Sequence, residues 1–98
     1  MMIRIVKMTF LPEKTEEFLK VFNENKAKIA SFEGCTHLKL LNDINQPTIF
    51  FTYSHWKGTE YLEKYRNSEL FAAVWNKTKV LFAAKAEAWS VEEIGSGS

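Results

Sequence analysis

Residues 48–56, Thr-Ile-Phe-Phe-Thr-Tyr-Ser-His-Trp, are almost wholly β-branched or aromatic and make the strongest strand signal in the chain. Successive side chains of a strand point to opposite faces, so Ile49, Phe51 and Tyr53 point one way while Phe50 and Trp56 point the other. Residues 2–10 repeat the pattern, with Ile3 and Ile5 set against Val6, Met8 and Phe10. Both faces of such a sheet are apolar. Helices packed on one side cover only one of them, and an antiparallel sheet whose other face met water would carry polar residues there. A partner is therefore expected on the uncovered face. Two such sheets packed face to face would close a barrel-like core shared by a homodimer with isologous contacts.

The rest of the chain supplies the helices. From Pro12 to Phe32 the apolar positions Phe18, Val21, Phe22, Ile29 and Phe32 fall at helical spacing, and Glu13, Glu16 and Glu17 sit early, where the helix dipole favours acids. Gly34 ends that helix, and Cys35 to Leu41 reads as a second strand closed by a turn-rich stretch from Asn42 to Pro47. Past Lys57-Gly58, a short helical segment through Tyr61, Leu62 and Tyr65 precedes Ser68, an N-cap for a helix carrying Leu70, Phe71, Val74, Trp75, Thr78, Leu81 and Phe82. Lys85 to Ile94 reads as a last strand. The order is β-α-β-β-α-β with the second helix broken, the ferredoxin-like α+β arrangement with helices on one face of an antiparallel sheet. Residues 1–94 form one domain, and Gly-Ser-Gly-Ser at 95–98 reads as a flexible tail or cloning scar.

Composition removes several classes of partner. A chain of 98 residues buries only about two thirds of its unfolded surface, so oligomerisation is a natural source of added stability. Thirteen basic and twelve acidic residues alternate without forming a block, which leaves no electrostatic footprint for nucleic acid or anionic lipid. The single cysteine, Cys35, has no disulfide partner within the chain and no Cys/His cluster to hold zinc. The N-terminal segment carries Arg4 and Lys7 and reaches Pro12 after a short apolar run, so it is neither a signal peptide nor a membrane span. A cytoplasmic protein without metal or cofactor is expected.

The strand Thr48–Trp56, the helical Leu-Glu-Lys-Tyr at 62–65 and Ser-Glu-Leu-Phe at 68–71 resemble the antibiotic biosynthesis monooxygenase family of the dimeric α+β barrel superfamily, with the likeness running over residues 2–94. The resemblance implies a homodimer and, among several activities in that family, cofactor-independent oxygenation of phenolic or quinol-like compounds. Its haem-degrading branch looks for an asparagine on strand one, a tryptophan before the last helix and an iron-binding histidine within it. The matching positions hold Lys7, Tyr65 and Trp75, and an indole is no axial ligand to haem iron. Other relatives carry an acid where this chain has Ser54 and a histidine where it has Leu70.

His37 and His55 are the only side chains whose ordinary proton affinity suits transfer near neutral pH, and they are the first candidates for a catalytic base. The plainer alternative is a strand histidine satisfied by a local hydrogen bond. Tyr53, Trp56, Tyr65 and Trp75 are candidates for an aromatic substrate pocket between sheet and helices, with core filling as the alternative. Arg4 and Lys7 lie on opposite pleats of strand one, so only one faces a given cavity. A cation there, or Arg66 from the helix, would hold an anionic enolate, although such side chains more often reach to solvent. Two functions stay open: a cofactor-free oxygenase of a small electron-rich aromatic, and a non-catalytic or regulatory dimer binding a small hydrophobic ligand.

Overall fold

The computed structural model describes residues 1–97; Ser98, the end of the expected tail, lies outside them. In chain order the elements are β1 (Met2–Thr9), a 3-10 turn (Pro12–Lys14), α1 (Thr15–Ala30), β2 (Cys35–Asn42), β3 (Ile49–Trp56), α2 (Thr59–Arg66), α3 (Glu69–Lys79) and β4 (Glu87–Val91). All neighbouring strands are antiparallel and the sheet order is β2-β3-β1-β4, the ferredoxin-like α+β fold expected from the sequence. The cap at Ser68 is as read: its hydroxyl accepts the Phe71 N–H at 3.1 Å, satisfying a donor that α3 cannot satisfy itself.

The elements differ from the expectation mainly at their ends. α3 stops at Lys79, so Leu81 and Phe82 are not helical. They run beside the end of β1 instead: the Leu11 N–H donates to the Leu81 carbonyl at 3.1 Å, the Ala83 N–H donates to the Thr9 carbonyl at 2.8 Å, and Phe10 and Phe82 form an isolated antiparallel bridge. Leu81 and Phe10 thereby enter the core, a gain in burial that outweighs one more helical turn. Gly34, between α1 and β2, adopts φ +89°, and a Cβ there would collide with the Tyr61 side chain.

Two apolar clusters lie under the helices. One gathers Met8, Phe10, Phe18, Phe22, Phe50 and Leu81, with Phe10 stacked on Phe18 at 4.1 Å between ring centroids. The other, at the opposite end of the strands, holds Met2, Trp56 and Leu62 with Phe32, Cys35, Tyr61 and Tyr65 packed around it. Strand parity now has a definite sense: Val6, Met8, Phe10, Phe50 and Trp56 face the helices. Ile3, Ile5, Phe51 and Tyr53 therefore occupy the open face, beside Trp89 and Val91, which are 44% and 41% exposed.

Candidate functional site

Between the two clusters the helix-facing side chains become small. β3 presents Phe50 and Trp56 at its ends but Thr52 and Ser54 in the middle, and β4 contributes Ala88 to the same face. The helices bridge this shallow centre and leave a cavity of about 290 Å³, near the lower end of the roughly 300–1,000 Å³ range of small-molecule sites. Its wall from β3 to α3 is a run of rings. Trp56 stacks on Tyr65 at 5.2 Å, Tyr65 meets Phe71 edge-on at 5.2 Å, and Phe71 stacks on Trp75 at 5.7 Å.

Each ring has a reason for its position. The Trp56 indole N–H donates to the Ser54 Oγ at 2.9 Å, and the Ser54 hydroxyl in turn reaches the Arg4 carbonyl at 3.5 Å, so a buried polar pair fixes the indole plane. Tyr65 lies on α2, one turn beyond Tyr61 and Leu62. Burial, helped by the neighbouring Cys35 thiol, pushes its phenol up to about 12, so the hydroxyl stays protonated and acts as a donor at any physiological pH. Phe71 and Trp75 are one turn apart on α3 and therefore share a face.

The polar side of the cavity is cationic. Arg4 stands on β1, paired to Ser54 of β3 on one side and Ser90 of β4 on the other, so the three residues form one row across the sheet. Its Nη1 donates to the Ser90 Oγ at 2.9 Å. Partial burial, together with the like charge of Arg66, lowers the Arg4 pKa, with Glu63 opposing. Arg66 also lines the cavity and is paired with Glu63 at 3.4 Å. Lys7 is on the other face, paired with Glu87 at 3.8 Å. Among the described residues the lining contains no aspartate, glutamate, histidine, cysteine or lysine.

Of the residues singled out from sequence, the structure brings Trp56, Tyr65 and Trp75 together on the cavity. Tyr53 is not with them. It shares the open face with His55, two residues on, and with His37 of β2, their ring centroids being 5.2 Å and 6.2 Å from that of Tyr53. A bulge between Cys35 and His37 inserts a residue into β2, so Cys35 pairs with Trp56 while His37 pairs with His55. The two histidines thus point away from the cavity, and His55 Nε2 is buried without a hydrogen-bond partner among the described residues. Sequence reading passed over Phe71, Thr52 and Ser90 as site residues. The first is the i−4 neighbour of Trp75, and the other two share the pleat of Arg4; that parity was the available signal. Among the described residues no cluster of three or more His, Cys, Asp or Glu is suited to a metal, and no helix is long and apolar enough to cross a membrane.

Comparison with known proteins adds family and fold. The family model described as antibiotic biosynthesis monooxygenase matches residues 1–77. A crystal structure of an antibiotic biosynthesis monooxygenase superposes with a TM-score of 0.90 at 17% identity, covering 97% of this chain and 100% of that one. A conserved protein from Methanosarcina mazei Go1 gives 0.88 at 22% identity over 94% and 92% of the two chains. Rv0793 from Mycobacterium tuberculosis gives 0.88 at 10% identity over 99% and 98%. No curated protein matches the chain by sequence.

Proposed function

The chain belongs to the antibiotic biosynthesis monooxygenase family, and from that premise we propose that it is a cofactor-independent oxygenase of a small electron-rich aromatic, a phenol or quinol held in the cavity under the helices. One observation carries the reading: a cavity of about 290 Å³ lined by Trp56, Tyr65, Phe71 and Trp75, with the Tyr65 phenol held in its protonated form. Stacking between Trp56, Tyr65, Phe71 and Trp75 orients a planar ring, and the Tyr65 hydroxyl donates to its oxygen. Loss of the substrate proton leaves an anion whose charge spreads onto a ring carbon. That carbon adds dioxygen, and loss of water from the resulting hydroperoxide leaves a carbonyl, so one oxygen atom stays in the product and the other departs as water. The protein supplies orientation, desolvation and stabilisation of the anion.

Among the described residues the lining holds no carboxylate or imidazole, so the proton passes to solvent and not to His37 or His55, which lie across the sheet. That same lining supports a second reading, a non-catalytic dimer that binds a small aromatic ligand. Haem breakdown fits neither, because Lys7 turns away from the cavity and Tyr65 and Trp75 replace the residues that chemistry uses. The open sheet face, with Ile3, Ile5, Phe51, Tyr53, Trp89 and Val91, supports a homodimer closed through the sheets. A reducing cytoplasmic setting goes with the free thiol of Cys35.

Oxygen-electrode assays on a panel of phenols, quinols and anthrones test the oxygenase. Uptake is expected with at least one ring system, falling about tenfold in Tyr65→Phe through loss of one hydrogen bond to the anion. Saturable quenching of tryptophan fluorescence without oxygen uptake on any compound would move the assignment to the ligand-binding dimer.

A further inference from the structure

The charge on the lining of the cavity says more about the ligand than its rings do. We propose that the substrate is an aromatic acid, a ring carrying a carboxylate that Arg4 receives through its guanidinium fork. This rests on the aromatic reading of the cavity and adds to it a substrate class.

Arg4 is an unusual residue for its place. It rises from β1, a strand with neighbours on both sides, onto the face that carries Met2, Val6 and Met8 and is covered by helices. A guanidinium has five N–H donors, and the protein partner of Arg4 is the neutral hydroxyl of Ser90. Among the described residues it has no carboxylate at ion-pair distance, whereas Lys7, Lys14, Lys64 and Arg66 each have one. Glu63 is close enough to act on the Arg4 charge, but its Oε1 is engaged by Arg66 at 3.4 Å. Arg4 is only partly withdrawn from water, but its guanidinium keeps free donors and has no counter-ion, so it is available to pair with an anion that enters the cavity.

The chemistry of the rest of the lining narrows the anion. Trp56, Phe71, Val74 and Trp75 call for an apolar, planar body, and a volume of about 290 Å³ admits one or two fused rings. A carboxylate coplanar with such a ring matches the planar guanidinium with two parallel hydrogen bonds, and the Ser90 hydroxyl orients the fork by occupying Nη1. Arg66 lines the same cavity, so a second cation stands near the carboxylate that Arg4 would receive, with Glu63 opposing it.

The test compares matched probes by quenching of the tryptophans at pH 7.5: 2-naphthol, 6-hydroxy-2-naphthoate and 2-naphthyl phosphate. The hydroxynaphthoate, ionised at that pH, is expected to bind at least about tenfold more tightly than 2-naphthol. Arg4→Met is expected to abolish that preference, and a native far-ultraviolet spectrum reports that the variant is folded. Arg4→Lys, which keeps the charge and loses the fork, should retain only part of the preference and serves if the methionine variant does not fold. Equal affinity for the naphthol and the acid in the wild type, or a preference that survives both Arg4 substitutions, would overturn the proposal and leave the aromatic cavity standing. Tighter binding of the phosphate than of the carboxylate would overturn the carboxylate assignment. Failure of all three probes to bind would remove the aromatic cavity reading and this proposal with it.

Discussion

His55 stands opposite His37 across the β2–β3 ladder, their ring centroids 4.9 Å apart, on the sheet face that turns away from the cavity. A layer of backbone thus separates the imidazoles from any ligand stacked on Trp56 and Trp75. His37→Ala and His55→Ala are accordingly expected to leave 2-naphthol affinity within about threefold, as for substitutions at independent sites. A loss of a hundredfold in either variant would mean that a histidine reaches the ligand after all, and fluorescence titration distinguishes the two outcomes.

The proposed homodimer would close through the same face. Phe51 lies on it, paired to Lys7 of β1 and Leu41 of β2, while Phe50 is buried against Phe10 and Phe18 on the other. Phe51→Asp is expected to yield a folded monomer by sedimentation at micromolar concentration, with a native far-ultraviolet spectrum. Phe50→Asp is expected to unfold the chain, because an unpaired carboxylate in the core costs several kcal/mol, a large part of the total stability. Dimers persisting in Phe51→Asp, or a wild type that sediments as one chain, would exclude closure through this face.

How much of this was legible beforehand depended on whether the signal was local. The composition of Thr48–Trp56, the cap at Ser68 and the break at Gly34 all act within a few residues, and each element they predict is present. Trp56, Tyr65 and Trp75 line the cavity. Tyr53 is expected beside them from the sequence and lies on the other face, because which pleat faces the helices is decided by tertiary packing and alternation alone leaves that sign open. Arg4 was caught in the same ambiguity, with Lys7 as its equal. The bulge at Thr36 reverses the facing of Cys35 and His37, which share a parity in the sequence, and Leu81 and Phe82 continue a helical period although the chain there bridges to Phe10. In each case a contact distant in sequence overrode a correct local period.

Gly34 offers a stability test at the α1–β2 turn. Its φ of +89° is strained for any side chain, and an added Cβ meets the Tyr61 Cβ and ring, which the packing of α2 holds in place. Gly34→Ala is expected to cost on the order of 2 kcal/mol or more in urea unfolding. The Lys57 N–H donates to the Gly34 carbonyl at 2.8 Å, so displacing this turn also disturbs the end of β3 where Trp56 sits. A variant as stable as the wild type would show that the turn and α2 can separate at little cost.

Tyr65 makes stability depend on alkaline pH, with a sign fixed by its environment. Burial first, and then the Cys35 thiol, push the phenol up to about 12, whereas in the unfolded chain it ionises near its ordinary value of about 10. Below pH 10 both states hold the proton and the contribution is fully present. Between about 10 and 12 the unfolded state gives up its proton while the folded state keeps it, so the unfolded state binds fewer protons and stability falls as pH rises. The two-unit difference corresponds to on the order of 3 kcal/mol lost as pH rises through that window. Tyr65→Phe removes this dependence: its deficit relative to the wild type, set at pH 9 by any hydrogen bond the hydroxyl makes, should shrink or reverse by pH 11.5. Urea unfolding of both proteins at pH 9, 10.5 and 11.5 reads the difference directly. Parallel pH profiles for the two proteins would mean that Tyr65 is solvated in the folded state, and the cavity wall from Trp56 to Trp75 would then be open to water at its centre.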